Sequence, residues 1–527
     1  MTRNAGAVGA GLAAARPARP IAPGERIHVV GAAGAGASAA ALLARWAGAR
    51  VTGCDPGGPS PYTPPLEAAG IPLDWRHDPA HVDTSRGGAP ERLAVTKALT
   101  AIAPDHPELA AARARGIPLE SWQQLVADAA VGQTLVGVAG THGKSTTAGW
   151  LVHLLVEAGA DPSAFVGALL PASLTGGLPS TARWGRGSAF VVEADEYAGN
   201  FDPYRPAVAV VTSAEWDHPD VFADRAAVVA TFAAWLRAAA RERGGRTAAP
   251  VLVANVGDPG VEELVGQLHD WPGRVVATAL VDQAPQRIGG YARGIAEQFA
   301  TAAGLAAPLL GRIVVADAAG TTLELHGLDP LAGPLSSRLA TAGRHNAANA
   351  LGVAGAALAL DIPPSAIVTG LATFAGVGRR LERKGEARGV AVYDDYGHHP
   401  TAIRETIAAV RQREPGRRVW AVYEPLTYHR TAALLDEFAV ALGTADAVAI
   451  ADIWAGRDPD TTIASPERLA ARVAARHPEL PVAAPGSVEA TADWLAGEVR
   501  AGDVVLVMGG GHSYRIGERL LEALAAR

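Results

Sequence analysis

Leu135-Val-Gly-Val-Ala-Gly-Thr-His-Gly-Lys-Ser-Thr-Thr147 sets an apolar run of strand character directly before a glycine-rich turn and the start of a helical stretch. In that order the turn sits at a helix N-terminus, where backbone N–H groups have no partner inside the helix and the helix dipole adds partial positive charge. A polyphosphate is the fitting ligand. Gly140, Thr141, His142, Gly143, Lys144, Ser145 and Thr146 form the loop, with Lys144 in reach of β and γ phosphates and the Ser145 hydroxyl suited to Mg²⁺. The common pattern G-x-x-x-x-G-K-[ST] is not fully met, because its first glycine falls on Val138, and an ordinary glycine turn is the competing reading. Lysine usage supports the phosphate reading. Lys97, Lys144 and Lys384 are the only lysines, and arginine, which carries the other positive charges, does not replace a compact ammonium among phosphates.

Upstream, a second strand, turn and helix unit opens at Arg26 to Val30, passes through Gly31-Ala-Ala-Gly-Ala-Gly36, and returns as a strand ending near Asp55. Gly31, Gly34, Gly36 and Asp55 fit a nucleotide-binding turn, and a merely structural turn fits them too. Downstream, strands alternate with helices through Ala189 to Val192, Ala207 to Val211 and Val251 to Ala254, then through a less regular stretch over 285 to 340 with antiparallel character at Arg312 to Leu325. A third alternating unit begins near Gly376. The expected fold is α/β in three domains: a Rossmann-like unit over 26–131, a central P-loop ATPase-type domain with a mostly parallel sheet over 132–375, and a Rossmann-like C-terminal unit over 376–527. Residues 1–25, rich in Ala, Arg, Pro and Gly, read as a disordered tail.

Composition narrows the class. The 527 residues, 49% of them hydrophobic, exceed one core, and a formal charge of -7 argues against a general nucleic-acid surface. The single Cys54 excludes a disulfide framework and a cysteine-rich zinc site. No strongly apolar run of membrane-spanning length occurs, so a cytoplasmic protein with no membrane partner is expected, as a monomer or weak homodimer.

Further motifs lie at predicted strand ends, where open α/β sheets place ligands. Val192-Glu-Ala-Asp-Glu-Tyr197 offers Glu193 as a metal ligand, and Thr212-Ser-Ala-Glu-Trp-Asp-His218 offers Asp217 and His218, of which oxygen preference alone selects Asp217. Solvated loop charge is the plain reading of each cluster. Asn346 and Asn349, three apart at a helix start, suit an adenine edge or, for Asn346, a helix cap. Gly378-Arg-Arg-Leu-Glu382 and Asp394-Asp-Tyr-Gly-His-His-Pro400 crowd ionisable groups after a strand, as functional sites do. A metal held by adjacent His398 and His399 lacks the usual ligand spacing.

With GTHGKST (140–146), EADE (193–196), DH (217–218), GRHNAAN (343–349), GVGRR (376–380) and DDYGHHPT (394–401) in this order, the chain from about residue 26 resembles the Mur ligases, which build the peptide stem of cell-wall precursors. The GAAGAGA turn and DDYGHHPT look most like the branch that joins L-alanine to UDP-N-acetylmuramate. The resemblance implies three domains that bind, in turn, the UDP-sugar, ATP and the amino acid, and a substrate carboxylate activated by ATP as an acyl phosphate before amine attack. It also implies roles. Lys144 would stabilise the transferring phosphoryl group, and Ser145, Glu193 and His218 would hold Mg²⁺. Asn346 and Asn349 would meet adenine, while Arg380 and Asp395 position ATP. Gly31, Gly34, Gly36 and Asp55 would serve the UDP-sugar, and Tyr396, His398 and Arg430 the reacting centre and the amino acid.

The pattern is broken in two places. Where alanine-adding members often carry a basic residue in a QPHRYTRT-like segment, this chain reads Glu424-Pro-Leu-Thr-Tyr-His-Arg-Thr431, with Thr427 at the variable position. No lysine follows the DH motif until Lys384, so the carbamylated lysine of sibling ligases has no counterpart. EADEY and RRLERKGE (379–386) lean toward a sister branch that attaches a recycled murein tripeptide, whereas Asp452-Ile-Trp-Ala-Gly456 and the stretch 502–518 lean toward the alanine branch. A catalytically silent nucleotide-binding homologue and, from Gly31 to Asp55 alone, a nicotinamide-dependent dehydrogenase are the readings from other classes.

Overall fold

A computed structural model describes residues 8–83, 88–103, 105–243, 249–282, 285–299, 307–329, 331, 333–456, 458 and 460–527. Three sheets organise them. The first has five parallel strands, in spatial order Leu73–Asp74, Arg50–Cys54, Arg26–Val30, Arg92–Val95 and Leu119–Ser121. Its central strand RIHVV buries four of five residues, as expected where helices cover both faces.

The second sheet runs Leu335–Leu339, Gly320–His326, Leu309–Asp317, Arg274–Leu280, Val251–Asn255, Val208–Val211, Thr134–Ala139, Ala189–Ala194, Ser163–Leu170 and Ser180–Arg183. The seven strands from Leu309–Asp317 to Ser163–Leu170 pair in parallel. The stretch read as irregular supplies the helix Pro285–Gln298 and an antiparallel extension over Leu309–Leu339, bulged between Ile313 and Val315. The third sheet runs Glu382–Ala387, Val390–Asp395, Asp503–Gly509, Arg418–Glu424, Ala447–Ala451 and Val482–Gly486, antiparallel only at its first pair. The expected α/β class in three domains is what the chain adopts.

Residues 8–25 correct the expectation of a disordered tail; residues 1–7 lie outside the described residues. Leu12 packs on the first domain's core, and Arg16 meets Glu120 and Asp128 at 2.7 Å each. Buried Arg92 reaches the same two carboxylates and Glu25, and Glu25 in turn takes Arg19 at 2.6 Å. Three carboxylates at the foot of one sheet need more than one guanidinium to be neutralised. Glu25, Glu120 and Asp128 are nearly buried, so the Arg16 and Arg19 guanidiniums that reach them hold an otherwise featureless Ala/Pro/Arg segment in place.

No helix among the described residues is long and apolar enough to cross a membrane.

Candidate active site

The strand Thr134–Ala139 delivers the chain to Gly140, and the helix starts at Lys144, which puts Lys144 and Ser145 in its first turn. Gly143 has φ 79°, and a side chain there would stand 2.5 Å from Asn349 Oδ1. The loop is therefore glycine for two reasons: a left-handed backbone, and the close approach of the helix Arg344–Ala359. The neighbouring strand end anchors it further, since Thr141 N donates to Ser213 O (3.0 Å) and His142 N to Ser213 Oγ (2.8 Å).

Lys144 Nζ donates to Gly140 O (2.6 Å) and Glu196 Oε2 (3.0 Å), with Asp195 at 3.8 Å. Burial works against the ammonium, yet the carboxylates of Glu196, Asp195 and Glu193 raise its pKa. Burial pushes the Glu196 carboxyl up to about 7, with Lys144 pulling it back. Ser145 Oγ donates to Glu193 Oε1 at 3.0 Å and accepts from Arg380 Nη2 at 2.8 Å; Glu193 Oε2 also takes the Gly167 N–H at 2.6 Å. The sequence named Glu193 of this run. The structure adds Asp195 and Glu196, which with His218 offer ligand atoms all within 4.8 Å of one another.

His218 adopts φ 55° beside the Tyr197 ring, 4.7 Å between centroids. Asp217, which oxygen preference had favoured as a metal ligand, instead pairs with buried Arg430, Nε to Oδ1 at 2.7 Å. Burial would raise this carboxyl, but Arg430, His218 and His398 hold it well below the usual range. Arg430 Nη2 lies 3.2 Å from His218 Nδ1, and since a guanidinium only donates, that nitrogen accepts. Thr427 begins the short helix Tyr428–Ala433 that carries Arg430: it has φ 64°, and its Oγ1 accepts from Arg430 N at 3.4 Å. A β-branched residue at positive φ is strained, so the position where the family pattern fails is a strained cap under the buried arginine.

The third domain closes the site. Asp395 accepts from Leu381 N (2.8 Å) and Gly397 N (2.7 Å), which shapes the turn carrying Arg380 and Tyr396; burial raises its carboxyl against the pull of Arg380. Arg380 lies over the Tyr396 ring at 4.9 Å. His398 Nδ1 donates to Tyr396 O at 2.9 Å, leaving Nε2 as the free-electron-pair nitrogen. Burial, then Arg430, drives its pKa well down, so the ring is neutral near pH 7. His399 turns elsewhere, to Trp216 O at 3.2 Å and against the His142 ring at 4.6 Å, so the two adjacent histidines do not converge on one point. Glu215 ties this corner together through Thr401 Oγ1 (2.7 Å), a contact no spacing signalled.

Asn346 and Asn349 are buried side by side, Asn349 Nδ2 donating to Asn346 Oδ1 at 3.3 Å and Asn346 Nδ2 to Ala342 O at 2.8 Å. The helix cap is Gly343, not Asn346.

These groups line one cleft of about 870 Å³ that also takes Gly36, Lys97 and Trp122 from the first domain. Of the four first-domain residues proposed for a nucleotide, only Gly36 reaches it. Asp55 is occupied within its own domain, accepting from Ala33 N at 3.0 Å and Gly57 N at 2.9 Å. Gly31 N donates to Cys54 O at 2.9 Å, and Gly34 N to Gly31 O at 3.2 Å.

Three family descriptions match the chain: "Mur ligase family, catalytic domain" over 26–134, "Mur ligase middle domain" over 138–357 and "Mur ligase, glutamate ligase domain" over 379–511. Among similar proteins, the UDP-N-acetylmuramate--L-alanine ligase of Frankia casuarinae is 36% identical over 523 residues, covering 95% of this chain and 98% of that protein. That of Kineococcus radiotolerans is 37% identical over 510 residues, covering 95% and 97%. Among solved structures, the UDP-N-acetylmuramate-alanine ligase of Thermotoga maritima shares the fold at TM-score 0.70 and 21% identity, covering 94% of this chain and 98% of that one. A murein peptide ligase of Psychrobacter arcticus does so at TM-score 0.66 and 23% identity, covering 96% and 99%.

Proposed function

This chain belongs to the Mur ligase family, and from that premise we propose that it is the ATP-dependent ligase joining L-alanine to the carboxylate of UDP-N-acetylmuramate. The observation that carries the reading is the bond from Arg380 of the third domain to Ser145 of the phosphate loop, 2.8 Å. It brings a nucleotide-gripping turn and a strand-end cluster rich in ionisable groups onto one atom, as coupling ATP cleavage to bond formation requires.

The polyphosphate would lie along Gly140 to Thr146 with its adenine toward Asn346 and Asn349, and the sugar nucleotide would enter from Gly36, Lys97 and Trp122, with Gly31, Gly34 and Asp55 holding that turn in shape. The donor set fits Mg²⁺: Ser145, Glu193 and His218 would hold it, with Asp195 and Glu196 alongside, mostly oxygen groups; His218 would do so once its Nδ1, which accepts from Arg430 here, gives up that bond. When bound it would offset charge on phosphoryl oxygens. Lys144 and Arg380 act on the same charge from the protein side. A carboxylate is a poor electrophile, and its conversion to an acyl phosphate provides phosphate as leaving group. The alanine amine must lose a proton to attack, and neutral His398, through Nε2, is the group poised to take it. Asp395 and Tyr396 position Arg380, and Arg430 marks the amino-acid end.

Coupled phosphate release tests the choice. Turnover is expected with ATP, UDP-N-acetylmuramate and L-alanine. Turnover with a murein tripeptide and none with L-alanine would assign the chain to the recycling branch instead.

A further inference from the structure

Away from the cleft, the first domain gathers His28, Cys54, His81 and Glu108 into its interior, from the strand Arg26–Val30, the strand Arg50–Cys54, the short turn of helix Pro79–Val82 and the helix Pro107–Ala114. We propose that these four side chains form a structural zinc site.

The geometry carries this first. Ligand atoms about 2.0–2.3 Å from a tetrahedral zinc stand ~3.3–3.6 Å from each other. Here His28 Nε2 lies 3.3 Å from Cys54 Sγ and 2.9 Å from Glu108 Oε1. Cys54 Sγ lies 3.6 Å from the same Glu108 Oε1, and His81 Nδ1 3.3 Å from it. All four ligand atoms fall within 4.8 Å of one another.

The outward nitrogens carry it second. His28 Nδ1 lies 2.8 Å from Thr52 Oγ1, and His81 Nε2 lies 3.2 Å from the Asp74 carboxylate. His81 faces a carboxylate at each nitrogen, Asp74 outside and Glu108 inside; with an ion in place, Nε2 would keep its proton toward Asp74 and Nδ1 would turn its lone pair inward, and Thr52 could accept from His28 Nδ1 in the same way. That is the arrangement by which metal-bound histidines are oriented.

Charge and chemistry agree. A thiolate and a carboxylate balance Zn²⁺ beside two neutral imidazoles, leaving a neutral interior, and a mixed sulfur, nitrogen and oxygen set suits this borderline ion better than magnesium or calcium. Zinc takes cysteine as the thiolate, so binding would release the thiol proton. His77, with Nδ1 3.2 Å from Cys54 Sγ and 17% exposed, stands on the outer side, where an ion would enter. Four protein ligands, three of them buried, leave no open coordination position, which makes the site structural. Its hold on the glycine turn is direct, because Cys54 O accepts from both Gly31 N and Ala32 N.

The chain's single cysteine makes the test unambiguous. The intact protein, with excess Mg²⁺ present, is loaded with Zn²⁺ or Co²⁺ alone and passed through gel filtration. One retained equivalent is expected, and with Co²⁺ a thiolate-to-metal charge-transfer band and intense visible bands of a tetrahedral ion; that band can come only from Cys54. Cys54→Ser should abolish it, and Asp74→Asn, which keeps all four ligands, should weaken retention by about 10-fold or more. Retained metal with no thiolate band would place the ion elsewhere. Failure of the parent protein to retain either metal would show that the cluster is only a hydrogen-bonded set of a carboxylate and imidazoles. Either result overturns the proposal.

Discussion

Two glycine turns, each following a central parallel strand and opening a helix, look alike in sequence and differ in what surrounds them. At Gly31 to Gly36 the backbone is spent on its own domain: Cys54 O takes Gly31 N and Ala32 N, and Asp55 takes Ala33 N. At Gly140 to Ser145 the turn is anchored from one side by Ser213, while Lys144, Ser145 and the helix N-terminus face the cleft. The first turn shapes a domain; the second handles charge. Glycine spacing alone does not separate these roles. The residue after the glycines does: an apolar alanine run in one case, Lys-Ser in the other.

The largest expected effect breaks the comparison at its charged end. Lys144→Ala should lower phosphate release with UDP-N-acetylmuramate and L-alanine by at least ~10²–10³-fold, since it removes the cation proposed to face the transferring group. The fold should survive, with circular dichroism unchanged, because Glu196, buried and left without its ammonium, has a carboxyl that burial already pushes up to about 7 and can take up a proton in its place. Near-normal turnover would mean the second turn is as structural as the first.

The next effect belongs to the first turn and has the opposite character. Gly36 lies in the helix Ala35–Trp46, where alanine would ordinarily gain about 1 kcal/mol. Its added methyl would overlap the Trp122 ring, and that ring is backed edge-on by Phe165 of the middle domain at 5.3 Å. Overpacking of this kind costs about 1–3 kcal/mol, so Gly36→Ala should lower the denaturation midpoint and, because Gly36 and Trp122 line the cleft where the sugar nucleotide is proposed to enter, raise KM for UDP-N-acetylmuramate more than it lowers kcat. A variant more stable than the parent would show that Trp122 can yield.

How much of this was legible follows from where the information lies. The strand, turn and helix around Lys144 and the alternating units were readable because each is local and its hydrophobic period is short. Ser145, Glu193, Asp395 and Arg380 were named from motifs and do converge, Ser145 bonding both Glu193 and Arg380. What escaped depends on packing between distant segments. Asp217 looked like a metal ligand until Arg430, 213 residues on, was found against it. Arg16 looked like part of a loose tail until Glu120 and Asp128 came beside it. His28, Cys54, His81 and Glu108 share no ligand spacing, so no scan of the chain gathers them.

The smallest effect concerns how the second turn is joined to the third domain, a link the first turn lacks. His142 of the turn packs at a tilt against His399, whose Nε2–H reaches Trp216 O. Burial, then the neighbouring His142 ring, lowers the pKa of His399 from 6.5 to about 4, although Asp217 and Glu215 pull upward. The unfolded chain thus takes up this proton below pH 6.5, and the folded one only near 4. The stability the neutral ring contributes is complete above pH 6.5 and is lost as pH falls toward 4, at up to about 1.4 kcal/mol per pH unit. His399→Gln keeps an N–H for Trp216 but cannot titrate, so its unfolding free energy, followed by denaturant titration between pH 7 and 4, should fall less steeply than the parent's. Parallel pH profiles would show that His399 is protonated as readily folded as unfolded, and that the contact between the turn and the third domain is open to water.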